Sequence, residues 1–340
     1  MREQTIRTTS FSVANYCRAC CCRCAHCLLD SEFRATGVEH ARAEALARRL
    51  FAECAAARPE LRVIFYAGYC MDLPEIERYV RFTGTPFLQC NGMALRGERE
   101  AEEWMRRVGS AGVRTIDCTF YGTQESHDAF AARKGDFAYL LRLIRAAQAA
   151  EIDAQASIAL TKSNMEQMPA LFEQLNALGV REKYVFLSHA KGRGIELTGQ
   201  RLTQEEFDAL CPQAKAHFSA LEHRTEADWI RSGDFPQAQA RNVTLVCTPE
   251  NIERYERMDA QAVLAELEEM DERFYAALPS PAELAALVGK AENRQIFRWR
   301  DLYLEWQKRY LARYAPELYD MNDERHSFSV RMYAERKTAK

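Results

Sequence analysis

Over the first two thirds of the chain, short apolar or β-branched runs alternate with longer runs whose apolar positions return every three to four residues. The first kind reads as strand and the second as helix. Residues 5–13 (TIRTTSFSV) are rich in β-branched residues and predict a first strand. Residues 38–57 (VEHARAEALARRLFAECAAA) combine helical periodicity with strong helix formers. Residues 61–68 (LRVIFYAG) form a compact apolar run, as in a strand buried on both faces. Pro74 suits the first turn of a helix over 74–82. Further strands are expected at 86–90 (PFLQC, closed by the turn dipeptide Asn91-Gly92), 115–122, 153–164 and 183–194. Helices are expected between them at 98–112, 137–151 and 168–179.

Six strands alternating with helices imply an α/β fold with parallel strands and right-handed crossovers. Periodicity alone leaves an open doubly wound sheet and a barrel or partial barrel as alternatives. In either, chemistry gathers at the C-terminal ends of the strands. Beyond residue 194 the pattern turns mostly helical, at 203–223, 259–278, 280–290 and 297–314, with one short β run at 243–247 (VTLVC). A soft boundary near 198–203 separates residues 1–198 from a helical region over 199–340. The aromatic positions Trp299, Tyr303, Trp306 and Tyr310 have near-helical spacing and read as core packing. The charged tail, 319–340, reads as a solvated end.

Charge removes some function classes. Lys plus Arg number 46 against 49 Asp plus Glu, so the basic excess that binds nucleic-acid backbone is missing and no nucleic-acid partner is expected. No run approaches the roughly 20 apolar residues of a membrane span, so no membrane partner is expected. The N-terminal stretch MREQTIRTTSFSV lacks the apolar core of a secretion signal, which makes a cytoplasmic protein the expectation.

Half of the 12 cysteines lie in one stretch, YCRACCCRCAHC, at Cys17, Cys20, Cys21, Cys22, Cys24 and Cys27. In a reducing compartment such a cluster points to metal binding or redox chemistry rather than to a disulfide scaffold. A bacterial ferredoxin run fails because residue 31 is Ser. A zinc site from Cys17, Cys20, Cys24 and Cys27 would need two C-x2-C pairs only three residues apart, where zinc fingers separate theirs by a dozen or more. The spacing C-x3-C-x2-C occurs twice, at Cys17, Cys21, Cys24 and at Cys20, Cys24, Cys27. Three thiolates leave one corner of a four-iron cube open to a small molecule.

A C-x3-C-x2-C stretch directly after a first strand, followed by repeated βα units, resembles the radical S-adenosylmethionine superfamily over roughly residues 5–195. The resemblance implies a partial (β/α)6 barrel of parallel strands. Family members often read C-N-L-R-C-x-[HYF]-C, and Cys20-Cys21-Cys22-Arg23-Cys24-Ala25-His26-Cys27 is similar in placing Arg before the middle cysteine and a ring before the last. It therefore implies Cys20, Cys24 and Cys27 as ligands of a [4Fe-4S] cluster, with Cys17, Cys21 and Cys22 spare. His26 takes the place of the ring that packs near the adenine of S-adenosylmethionine. Ala67-Gly68-Tyr69 stand where the family has a G-G-E-P-like turn, without its Glu and Pro, and are expected to face the methionine amino group. Thr119 and Lys162, at the ends of the fourth and fifth strands, are expected at its carboxylate. Asn91-Gly92 resembles the T-N-G turn of the family. His127 and Asp128 resemble a pair that shapes a turn, so neither is expected to act as a general base, and no catalytic residue is assigned. Only Cys211 and Cys247 follow residue 118, which implies a single cluster.

The implied function is reductive cleavage of S-adenosylmethionine to a 5′-deoxyadenosyl radical, which abstracts a hydrogen from an unassigned substrate. A ribosomally made peptide is the preferred substrate, by fold analogy alone. An electron donor such as flavodoxin or ferredoxin is the implied partner. Cys90 and Cys118, on the third and fourth strands, raise a second idea, a thiol that returns a hydrogen atom; small buried apolar side chains are the preferred reading. The competing expectation for the whole chain is a non-catalytic zinc or iron-sulfur module acting through protein partners.

Overall fold

The computed structural model describes residues 6–29, 35–318 and 327–338. Every expected strand forms: β1 (Arg7–Ala14), β2 (Arg62–Tyr66), β3 (Phe87–Gln89), β4 (Thr115–Phe120), β5 (Asp153–Leu160) and β6 (Glu182–Leu187). Residue 5 of the first expected strand lies outside the described residues. The intervening helices are there too, including His40–Ala57, Glu98–Ala111, Asp136–Ala149 and Met168–Ala177. Beyond them come β7 (Arg224–Thr225), β8 (Ala238–Val246), β9 (Ile296–Phe297) and β10 (Ser327–Tyr333) among helices such as Ala260–Ala276 and Trp299–Tyr314. The fold class is α/β with parallel strands, followed by a C-terminal part that is mainly helical.

By contacts, the described residues fall into two compact units. One takes residues 6–17, 35–68, 221–318 and 327–338. Its sheet has the order β10-β8-β1-β2, with β1 parallel to both β2 and β8, and β10 antiparallel to β8. Phe11 of β1 meets Phe51 of the helix His40–Ala57 edge to face at 6.0 Å. The expected solvated tail is corrected here. Residues 327–333 are a strand in register with β8, while 319–326 lie outside the described residues. The aromatic stripe is core: Trp299, Tyr303 and Trp306 pack with Trp229, Leu284 and Phe297.

The other unit takes residues 18–29 and 69–220. Its sheet runs β3-β4-β5-β6, all parallel. Strand alternation gives this sheet two unlike faces. Leu88, Ile116, Phe120, Ala156, Ile158 and Val185 lie on one, all 2 % exposed or less. Phe120 meets Phe137 of the helix Asp136–Ala149 at 5.7 Å, so this is the helix-packed face. The opposite face is polar, and its side chains bond across strands. Ser157 Oγ and Gln155 Nε2 donate to Asp117 Oδ1 at 2.8 and 3.2 Å, and Gln89 Nε2 donates to Thr119 Oγ1 at 3.3 Å. No helix among the described residues is long and apolar enough to cross a membrane.

Candidate functional site

The cysteine-bearing loop belongs to the second unit and lies against the C-terminal ends of its strands. Its backbone is pinned by hydrogen bonds to several elements of that unit. Cys21 N donates to Gly92 O at 2.8 Å, just past β3. Arg23 N and Ala25 N donate to Ala131 O and Phe130 O at 2.9 and 3.0 Å. Arg193, beyond β6, donates from its backbone N to Cys27 O at 3.0 Å and from Nε to Cys24 O at 3.2 Å. A turn closed by Cys27 N to Cys24 O at 3.1 Å joins the last two expected ligands.

The Asn91-Gly92 turn does two jobs. The Asn91 side chain brackets Thr119, accepting from its N–H at 2.7 Å and donating to its carbonyl at 2.9 Å. Gly92, at φ +81°, yields its side-chain space to the loop, since a Cβ there would lie 2.2 Å from Cys20 Sγ. Gly192, at φ +55°, does the same further on, where a Cβ would lie 2.5 Å from Cys27 O and 2.6 Å from Leu28 O.

None of the twelve cysteines forms a disulfide within the described residues. The structure gathers Cys20, Cys22 and Cys24 with Tyr121, Ala131 and Ala159. Cys22 N–H points at Cys20 Sγ at 3.4 Å, and the Cys22 thiol, buried against Asp136 Oδ2 at 3.6 Å, lies between its two neighbours. Contact with the Cys22 thiol holds Cys20 down at about 7, against the opposing effect of burial and with help from Arg133. The Cys24 thiol is lowered by Cys22 first and by the Tyr121 hydroxyl, which donates to it at 3.5 Å. Cys22 itself is raised, because it supplies its proton to both. Two readily ionised thiols flanking a protonated one are a natural consequence of packing three sulfurs together.

Cys27 is not in that group, and Cys17 lies in the other unit, where its thiol donates to Ala67 O at 3.1 Å. Cys21 is exposed. Among the described residues no three His, Cys, Asp or Glu side chains converge closely enough to hold one metal ion. The donor chemistry nonetheless suits an iron-sulfur cluster: soft thiols on a loop pinned at its backbone, with a glycine cleared for one of them. Among the buried polar atoms that lack a hydrogen-bond partner within the described residues are His26 Nδ1 and Ser188 Oγ.

The remaining expected residues are placed as follows. His26 is half-buried and rings Tyr121, Phe130 and Phe186 with centroids at 4.9, 5.7 and 6.3 Å. Burial, then the charges of His189 and Arg193, push its pKa down to about 4. Tyr69 N donates to Arg18 O at 3.2 Å. Thr119 is 3 % exposed on the polar sheet face. Lys162 pairs with Glu206 at 3.0 Å. Ala67 and Gly68 lie in the first unit, after β2. His127 is fully committed to structure, accepting from Tyr121 N at Nδ1 (3.2 Å) and meeting Asp136 at Nε2 (3.1 Å). Asp128 accepts from Gly135 N and Phe137 N.

Cys90 and Cys118 are buried beside each other, and Cys118 shares the helix-packed face with Ile116 and Phe120 rather than the polar one. Sequence reasoning missed Cys22 as the sulfur between two others, and Ser188 as a buried strand-end hydroxyl. The logic applied to Thr119, a hydroxyl just where a strand ends, would have found Ser188.

No family model matches the sequence. Among curated proteins the chain is similar to the S-adenosylmethionine-dependent heme synthase of Oleidesulfovibrio alaskensis, 28 % identical over 154 residues, covering 43 % of this chain and 38 % of that one. It is also similar to the Fe-coproporphyrin III synthase of Methanosarcina barkeri, 28 % identical over 137 residues, covering 40 % of this chain and 33 % of that one. The chain thus spans little more than a third of the length of these relatives. Among solved structures, Streptococcus suis SuiB bound to S-adenosylmethionine aligns at 9 % identity over 71 % of this chain and 58 % of that one, with a TM-score of 0.47, a likeness too loose to bear weight. The similarity to S-adenosylmethionine-dependent relatives agrees with the C-x3-C-x2-C loop, whose spacing resembles that of the radical S-adenosylmethionine superfamily.

Proposed function

We propose that this chain is a radical S-adenosylmethionine enzyme in which Cys20, Cys24 and Cys27 hold a [4Fe-4S] cluster with one iron left for the cosubstrate. The observation that carries the reading is the seating of the cysteine loop against Gly92 just past β3, Tyr121 just past β4 and Arg193 beyond β6, with Gly92 cleared for Cys20. When bound, the cluster and S-adenosylmethionine supply one-electron cleavage of a carbon–sulfur bond, and the 5′-deoxyadenosyl radical so released takes a hydrogen from the substrate.

The chain's own residues orient and enclose. His26, with one ring nitrogen buried and unbonded in its aromatic group, suits the adenine, and Thr119, fixed by Asn91, suits a carboxylate. Lys162 would have to exchange its Glu206 partner to reach the same carboxylate. Tyr69 contributes backbone polarity, and Ala67 and Gly68 carry their expected role from the sequence turn alone. A ribosomally made peptide remains the proposed substrate, flavodoxin or ferredoxin the proposed electron donor, and the cytoplasm the proposed location. The test is anaerobic reconstitution, dithionite reduction and addition of S-adenosylmethionine. Release of 5′-deoxyadenosine is expected. Bound zinc with no cleavage product would instead favour a non-catalytic metal module.

A further inference from the structure

The polar face of the β3–β6 sheet carries a charge pattern that the proposed chemistry does not use. Register places Asp117, Asp153 and Glu182 on this face, and none of its residues on the four strands is Lys or Arg. Asp153 and Glu182 are exposed, as expected of solvated carboxylates. Asp117 is different: it is 3 % exposed. Both donors that reach it, Ser157 Oγ and Gln155 Nε2, are neutral and go to Oδ1. No hydrogen bond or ion pair among the described residues engages Oδ2.

A buried carboxylate without a counter-cation is costly, so such groups are normally paired. Here burial raises the acid to about 6, and only the two hydrogen bonds oppose it. Aromatic surface lies on the same face: Phe87 and Tyr184 are 41 % and 40 % exposed, and Tyr184 stacks on Phe186 at 5.9 Å. An apolar body beside an unmatched anion describes a complementary ligand. Its apolar part lies on the rings and its protonated nitrogen meets the carboxylate.

We propose that this face receives the substrate and that Asp117 grips a protonated nitrogen on it, an ammonium or guanidinium joined to an apolar or aromatic group. The proposal rests on the radical-enzyme reading for the word substrate. Its binding test does not depend on that reading. Gln155 and Ser157 act as positioning residues, holding Oδ1 so that Oδ2 stays directed at the ligand.

The experiment is equilibrium dialysis of the reconstituted holoprotein against phenethylammonium, its neutral analogue phenethyl alcohol, and phenylacetate. The wild type is expected to bind the ammonium at least tenfold more tightly than the alcohol, and phenylacetate least. Asp117→Asn is expected to erase the preference for the ammonium while keeping the affinity for the alcohol, a change in ratio that a purely structural role would not produce. If that variant fails to fold, Asp117→Ser, which removes the charge in a smaller side chain, gives the same comparison. The proposal is overturned if phenethylammonium does not bind, binds no better than the alcohol, or keeps its preference in the folded variant. Release of 5′-deoxyadenosine by the wild type is measured alongside. Its absence would remove the enzymatic reading and leave the amine preference to stand or fall by dialysis.

Discussion

Gly92 and Cys20 compete for one space: the sulfur occupies the volume that a methyl group on the glycine would take, 2.2 Å from where its Cβ would be. Backbone at φ +81° adds a second reason for glycine there. Gly92→Ala is therefore expected to displace the Cys20 thiol and at least halve the iron retained after anaerobic reconstitution. Gly84→Ala is the control, since Gly84 has a similar φ of +62° but nothing within 4 Å of an added Cβ. It should cost about 1 kcal/mol of stability and leave iron content unchanged. Equal iron in both variants would show that the glycine does not clear the ligand.

The choice of ligands is tested by single alanine replacements read as iron per chain. Cys20→Ala, Cys24→Ala and Cys27→Ala should each lose the cluster. Cys17→Ala should keep it, because that thiol is spent on Ala67 O. Cys22→Ala should keep it as well, while removing the contact that lowers both neighbouring thiols. Loss of iron from Cys22→Ala with retention in Cys27→Ala would mean that the sulfurs packed together here, Cys20, Cys22 and Cys24, are the ligands instead.

In the other unit, stability should hinge on Glu226. Its buried carboxylate accepts from Trp306 Nε1 at 2.8 Å, Arg309 Nη1 at 2.6 Å, Asn293 Nδ2 at 2.6 Å and Lys290 N at 3.0 Å. Burial works to raise its pKa, but Arg309 and the other donors bring it below the ordinary value. Its contribution is thus present above the unfolded carboxyl range and lost as pH falls through the folded value. Glu226→Gln keeps the shape but halves the pairing, and Arg309 retains Glu305 at 2.8 Å. Urea denaturation at neutral pH should show a loss of about 2 to 3 kcal/mol, and Trp306→Phe a smaller one from the missing donor, about 1 kcal/mol.

Local patterning made the six parallel strands legible. Each is a self-contained run of β-formers bounded by Gly, Asn or Pro, and a helix lies between each pair. β10 was hidden because what makes residues 327–333 a strand is a partner some eighty positions earlier, β8, and nothing in a charged tail announces that pairing. β7 and β9 are two residues each, below any periodic signal. The cysteine loop was legible as a thiol site, but its internal order was not. Spacing named Cys20 and Cys24, whereas the folded loop also brings Cys22 between them through a turn too short for any repeat to reveal. The two faces of β4 were within reach of the strand period: Asp117 and Thr119 alternate with Ile116 and Cys118, and that alternation alone puts the acid and the thiol on opposite faces.

The raised pKa of Asp117 gives a stability test with a definite sign. The folded value, about 6, lies above the 3.8 of a free carboxyl because burial disfavours the charge more than Ser157 and Gln155 favour it. Between those values the folded protein holds a proton that the unfolded chain has released, so stability falls as pH rises and levels off above the folded value. Asp153 and Glu182, on the same face, are exposed and common to both proteins compared. Asn at position 117 cannot ionise and escapes this cost. Urea denaturation of wild type and Asp117→Asn at pH 4 and pH 7 should therefore show the variant gaining on the wild type at the higher pH, by an amount on the order of 3 kcal/mol. A gap that stays constant with pH would mean that Asp117 ionises as an ordinary carboxyl, with a counter-charge that offsets its burial.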